Sequence, residues 1–199
     1  MSNKVERKLV AIMFTDIAGF TKDMSIDESK ALSGLEQKIS VVKPMVEKFN
    51  GIYVKDIGDG TLSYFDSATQ ATDCALNIQT ELNKDLDIRI GLHLGEVIQK
   101  DNDILGDSVN ITSRIEKLSS TGGVFISSSI YDELKNKHKY NFQYLGLHSF
   151  KGVGRLLDIY GFDKSDSLRS SDSMSTIIDT YNDVVMPSIS IIPFRNKGK

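Results

Sequence analysis

KLVAIMFTD, residues 8–16, decides how the rest of the chain is read. Its apolar run is continuous but too short for a typical helix, so it reads as a buried central strand with Asp16 at its end. From Ile17 to Asp27 the chain turns polar around Gly19, which implies a loop or a short helical turn. Leu32, Leu35, Ile39, Val42, Val46 and Phe49 then follow in alternating steps of three and four residues, a single helical stripe. Pro44 falls inside that stripe and is expected to bend or interrupt the helix, and Asn50-Gly51 ends it. IYVKDIGDGTLSYF, residues 52–65, reads as strand, tight turn, strand, reversing at Gly58-Asp59-Gly60.

Asp66 or Ser67 can cap a second helix, whose stripe is Ala68, Ala71, Ala75, Ile78 and Leu82. LDIRIGLHLGEVIQ (86–99) is a long strand and DNDILGD (101–107) a turn-rich connection. SVNITSRIEKLS (108–119) is a third helix, ended by Thr121-Gly122-Gly123. A short strand GVFIS, a short helix around Ile130–Leu134 and strands near 141–150 and 156–162 complete the pattern. Strand, helix, strand, strand, helix, strand is the ferredoxin-like βαββαβ order. The expected class is α+β, a mostly antiparallel sheet with helices packed on one face. Composition shifts at Lys164, where SDSLRSSDSMS begins a linker, so 1–163 is expected to form one domain and 164–199 a linker and tail.

Bulk properties narrow the function classes. A net charge of −3 argues against a nucleic-acid surface, which needs a basic stripe. It leaves room for a small anionic ligand, which a few placed cations or metal ions suffice to hold. Cys74 is the one cysteine, so an internal disulfide is excluded, and within ATDCALNI it reads as a small buried apolar residue. No apolar run approaches the ~20 residues of a membrane helix. The amino terminus lacks a small-residue cleavage site before Asp16. A soluble cytoplasmic protein, or a soluble piece of a larger one, is the expectation.

Four separated pieces carry candidate chemistry. In MFTDIAGFT (13–21) a carboxylate ends a strand and precedes a glycine-containing loop able to turn backbone N–H groups toward a phosphate. In VKDIGDG (54–60) Asp59 sits in the turn; if this strand lies beside the first, two carboxylates share one sheet edge, as two hard cations on a triphosphate require. In DILGDSVNITSR (103–114) Asn110 and Arg114 are four apart on a helix and share a face, where an amide and a guanidinium can orient a sugar and neutralise phosphate charge. In SFKGVGR (149–155) Lys151 precedes two glycines. Singly, each piece has an ordinary explanation as a cap, a turn or a solvated helix face.

Jointly, in this order and spacing, they resemble the class III adenylyl and guanylyl cyclase catalytic domain over about residues 8–162. The resemblance implies that Asp16 and Asp59 bind two Mg²⁺ or Mn²⁺, with the Ile17 carbonyl as a further ligand. It implies that Gly19, Phe20 and Thr21 form the phosphate loop, that Lys55 and Asp103 read the purine, that Asn110 positions the ribose, that Arg114 stabilises the transition state and that Lys151 holds the terminal phosphates. A lysine and an aspartate at the purine positions are the pattern of family members that use ATP. Guanine presents the reverse donor and acceptor edge. A guanylate cyclase and a catalytically silent dimerisation module are the alternatives. The resemblance further implies a homodimer with each site shared, because one chain carries both halves.

One departure stands out: some members place a triphosphate arginine just after the strand glycine, where this chain has Glu96. His93 reads as structural, and Asp56, Asp101 and Asp107 as turn or cap carboxylates. In the tail, MPSISIIPFRN (186–196) resembles the opening strand of a TolB-like domain, which implies a chain cut from a longer one.

Overall fold

A computed structural model describes residues 6–82, 86–137 and 139–162. The expected linker and tail, 164–199, with their TolB-like stretch, lie outside the described residues. In chain order the elements are β1 (Glu6–Ile17), α1 (Phe20–Ile26), α2 (Glu28–Lys48), β2 (Ile52–Ile57), β3 (Gly60–Phe65), α3 (Ala68–Glu81), β4 (Ile88–Lys100), β5 (Asp103–Leu105), α4 (Asp107–Leu118), β6 (Val124–Ser127), α5 (Ser128–Leu134), β7 (Gln143–His148) and β8 (Leu157–Phe162).

The strands form one sheet in the order β2-β3-β1-β4-β6-β8-β7, with β5 hairpinned onto β4. All pairings are antiparallel except β4 with β6. Within it, β2-β3-β1-β4 is the four-strand order of the ferredoxin-like motif, and β1 is central as its apolar run demanded. Val10, Ala11, Ile12 and Met13 are fully buried because both faces of β1 are covered.

Alternation splits those residues between two cores. Ala11 and Met13 pack with Ile90 and Leu92 of β4 and with Val42 of α2, Ala75 of α3 and Ile130 of α5. Val10, Ile12 and Phe14 pack with Leu62, Tyr64, Val97 and Ile104 on the other face. There α4 lies directly on β4: a Cβ at Gly91 would stand 2.3 Å from the Glu116 amide nitrogen.

Helix α2 departs from its predicted reading in two ways. It runs unbroken through Pro44. A mid-helix proline costs ~3 kcal/mol or more, but Val42, Met45 and Val46 are buried around it, and each is worth ~1.5–3 kcal/mol. Its amino-terminal half is also rotated relative to the predicted stripe: Ala31 and Lys38 are buried, while Leu32 is exposed and Ile39 is only partly covered. Helix α3 follows its predicted stripe, with Ser67 accepting from the Gln70 amide as N-cap. Cys74 is buried with its thiol free, as expected. Among the described residues no helix is long and apolar enough to cross a membrane.

Candidate active site

Strand pairing brings the two candidate metal carboxylates to one edge. Thr15 lies opposite Thr61, so Asp16 stands beside the β2–β3 turn. That turn is the pair Gly58-Asp59, closed by Ile57 opposite Gly60. Gly58 has φ +64, a left-handed conformation that glycine adopts freely. A Cβ at Gly60 would stand 3.3 Å from the Thr15 carbonyl, so glycine there lets the turn close onto β1. Burial first, then a hydrogen bond and repulsion from Asp16, push the Asp59 carboxyl up to about 6, against the opposing pull of the Ile17 backbone. Asp16, Ile17, Gly19, Phe20, Thr21 and Asp59 all line one cavity of about 290 Å³.

Gly19, at φ +81, starts α1 as its N-cap, and its carbonyl accepts from the Lys22 and Asp23 amides. The Phe20 and Thr21 amides, in the first turn, have no acceptor within the helix.

Two basic groups, Lys38 fully buried and Arg89 partly buried, converge on the carboxylates from opposite faces of the sheet. Arg89 lies opposite Asp16 in the β1–β4 register, lines the same cavity and is paired with the Asp16 carboxylate. Its Nε is 3.2 Å from Oε1 of buried Glu116 on α4, and both atoms lack a hydrogen bond among the described residues. Burial first and Asp16 second push the Glu116 carboxyl up to about 7, against the opposing pull of Arg89. Lys38 comes from α2 and donates to the Asp59 carbonyl. Burial lowers its ammonium to about 8, while Asp56, Asp16, Asp59 and Glu116 pull it upward. Neither basic residue stands out in the sequence: Arg89 reads as a polar position of an alternating strand, and Lys38 neighbours the predicted stripe.

Glu96, the site of the departure, is remote. It pairs with Arg7 and lies opposite Leu9, seven residues along β1 from Asp16. At ~3.3 Å per residue that is roughly 23 Å. The cation beside Asp16 is Arg89, from the same strand as Glu96.

The purine candidates meet elsewhere. Lys55 of β2 forms an ion pair with Asp103 of β5, whose other carboxylate oxygen accepts from the Ile104 amide at 2.9 Å. Lys55 and Asn110 line a second cavity of about 310 Å³, walled by Leu62, Ile104 and Val109. The two cavities share no lining residue. Arg114 lines neither. A Cβ at Gly152 would stand 3.8 Å from its Nη2, so the turn that carries exposed Lys151 lies against the guanidinium. Arg114 Nη1 is buried without a hydrogen-bond partner among the described residues.

The remaining polar candidates have structural surroundings. His93 is buried with Nδ1 2.8 Å from the Ser127 hydroxyl, and burial first, then Arg155, lowers it to about 4. Asp101 takes a turn conformation at φ 54 and Asp107 opens α4. Asp56 lies within β2 and accepts from the Tyr53 and Thr61 hydroxyls, so it braces the hairpin and is neither a turn nor a cap residue.

The donor set beside the first cavity suits a hard divalent cation. Two carboxylates and a neighbouring main-chain carbonyl are what Mg²⁺ takes from a protein when phosphates and waters complete its shell. Among the described residues no group of three or more His, Cys, Asp or Glu gathers into a metal cluster.

Comparison with known proteins places the chain in a family. The family model "Adenylate and Guanylate cyclase catalytic domain" matches residues 3–164. A Rhizobium meliloti (strain 1021) protein, "Putative adenylate cyclase 3", is 31% identical over 202 residues, covering 96% of this chain and 34% of its own length. This chain therefore spans about a third of that relative. A crystal structure of an adenylate/guanylate cyclase/hydrolase from Silicibacter pomeroyi superposes with a TM-score of 0.74 at 29% identity, covering 80% of this chain and 99% of that one. The catalytic core of a rhodopsin-guanylyl cyclase with converted specificity, in complex with ATPαS, gives a TM-score of 0.70 at 28% identity, covering 80% and 98%. The sheet topology is that of the class III cyclase fold. The chain is a member of the adenylate and guanylate cyclase catalytic domain family.

Proposed function

We propose that this domain is an adenylate cyclase that converts ATP to 3′,5′-cyclic AMP and pyrophosphate at sites shared between two copies of the chain. The observation that carries the choice of ATP is the Lys55–Asp103 pair at a cavity that also presents Asn110. Asp103 can accept from the adenine 6-amino group while Lys55 donates to N1, and guanine reverses both roles.

Sharing between copies follows from the division of the chain into two half-sites. Lys55 lies within β2 and Asp59 in the turn that ends it, and the cavities they line share no residue. One nucleotide would have to place its base at the first and its phosphates at the second. Apolar Ile57 and Leu105, about half exposed at the rim of the base cavity, supply surface for a partner to cover. A two-fold dimer gives each site Asp16 and Asp59 from one copy and Lys55, Asp103, Asn110, Arg114 and Lys151 from the other.

The ribose 3′-oxygen attacks the α-phosphorus of the same nucleotide, the new ester bond closes the ring, and pyrophosphate leaves. Asp16, Asp59 and the Ile17 carbonyl would hold two divalent cations, which would supply charge neutralisation and activation of the hydroxyl. Asn110 orients the ribose. Arg114, whose Nη1 has no acceptor among the described residues, donates to the oxygens of the five-coordinate phosphorus. Arg89, Lys151 and the Gly19–Thr21 amides hold the leaving phosphates. Arg89, which pairs with Asp16 and lines the same cavity, would be available to phosphate oxygens there.

The test is an assay of purified protein with ATP or GTP and Mg²⁺ or Mn²⁺, followed by mixing Asp16→Ala and Arg114→Ala chains. ATP should be the preferred substrate, and the mixture should regain one working site per heterodimer. A mixture that stays inactive while each variant remains folded and dimeric overturns the shared site. A preference for GTP overturns the base assignment.

A further inference from the structure

Lys38 is fully buried, the one charged residue among the large side chains that are fully buried in the described residues. A bare ammonium is among the costliest groups to take out of water. The neighbouring stripe of α2 shows that an apolar residue would fit the element, since Val42, Met45 and Val46 occupy equivalent inward positions. A charge retained at such a place needs a specific partner. The ammonium donates to the main-chain carbonyl of Asp59, directly behind the turn whose side chain faces the first cavity.

That turn has little stiffness of its own. Gly58 and Gly60 flank Asp59, and neither carries a Cβ to restrict the backbone. A charge-assisted hydrogen bond to the Asp59 carbonyl fixes the peptide between Asp59 and Gly60 and therefore the direction of the Asp59 side chain. On the opposite face of the sheet the Asp16 carboxylate is held by Arg89. Each carboxylate is thus anchored by its own basic residue, Asp16 through its side chain and Asp59 through its backbone. Arg89 lines the cavity, whereas Lys38 lies beneath the sheet edge, outside that lining.

We infer that Lys38 is a positioning residue: from the core it locks the Asp59 turn so that the Asp16 and Asp59 carboxylates present a preformed cradle to divalent cations. The inference rests on the reading of these two residues as metal ligands. It assigns to Lys38 no contact with nucleotide.

Two measurements test it on the full chain. The first is hydrogen exchange of the Ile57–Thr61 amides in metal-free protein. The second is Mn²⁺ binding followed by electron paramagnetic resonance. Lys38→Met removes the charge and the donor at nearly constant volume, and Lys38→Gln keeps a shorter donor. Lys38→Met should speed exchange in the turn and weaken Mn²⁺ binding by about tenfold, the scale on which partners behind metal ligands act. Lys38→Gln should fall between it and the wild type. If Lys38→Met fails to fold, Lys38→Gln compared with the wild type decides on the same two readouts. Turn exchange and Mn²⁺ affinity both unchanged, with only the melting temperature altered, would show that Lys38 merely fills the core. An Asp59→Asn control separates the two ideas. If the wild type binds Mn²⁺ no better than Asp59→Asn, the metal-site reading fails, and turn exchange alone still decides whether Lys38 orders the turn.

Discussion

His93 shows how a side chain in the middle of the site motifs can act on stability alone. It is 3% exposed, bonded to Ser127, and lowered to about 4 from a usual value near 6.5. Because the folded value is depressed, the unfolded chain binds the proton more readily. The stability is complete above about pH 6.5 and is lost as pH falls toward 4, by up to about 3 kcal/mol. His93→Gln should flatten the fall in urea-unfolding free energy between pH 6.5 and 4. An equally steep fall in the variant would assign acid sensitivity to other groups. Asp59 titrates in the opposite functional sense. Its carboxyl is raised to about 6, so protons compete with cations below that pH. Mn²⁺ affinity should hold between pH 7 and 8 and weaken below about pH 6 by roughly tenfold per unit. Calorimetric titration at several pH values would measure this, and a flat profile down to pH 5 would contradict it.

Elements carry consequences that single residues do not. Helix α4 holds Asn110 and Arg114 and rests on Gly91 of β4, where an added Cβ would meet the backbone of the helix. Gly91→Ala must therefore move the whole helix. A stability loss of ~1–3 kcal/mol is expected, with cyclase turnover falling by on the order of a hundredfold, because catalytic groups displaced by ~1 Å lose that much. Normal turnover in this variant would show that α4 tolerates the shift. The β2–β5 approach has a different consequence, because on the proposed function it sets the base-reading edge. Lys55→Glu combined with Asp103→Cys should reduce ATP turnover by on the order of a hundredfold and raise the GTP rate, since unpaired buried polar groups reject the wrong base. Retention of ATP preference would place base recognition elsewhere. Within α2, burial on both sides of Pro44 keeps the helix continuous. Local sequence warns of a break there because the packing that opposes it comes from the sheet.

At the scale of the whole molecule, activity should depend on association. If each site takes residues from two copies, activity per chain should fall as the protein is diluted through its dimer dissociation constant, in step with the dimer fraction seen by analytical ultracentrifugation. Constant specific activity in dilutions that are fully monomeric would mean that one copy suffices.

The order of strands and helices apart from the short β5, which read as a turn-rich connection, the burial of β1, Asp16 at a strand end, Asp59 in a tight turn, and Asn110 with Arg114 on one helix were legible in the chain itself. Each depends on periodicity or turn chemistry within a few residues. The placement of Arg89 beside Asp16, of Lys38 behind Asp59, of Glu116 beside Arg89 and of α4 on Gly91 came only from the tertiary structure. A shift of one residue in α2, from Ile39 to Lys38, turns the inward face by ~100°. Strand order decides which residues meet across the sheet. Local patterns specify what an element is and which of its faces is apolar, but the groups that converge on a site are chosen by contacts between segments distant in the chain.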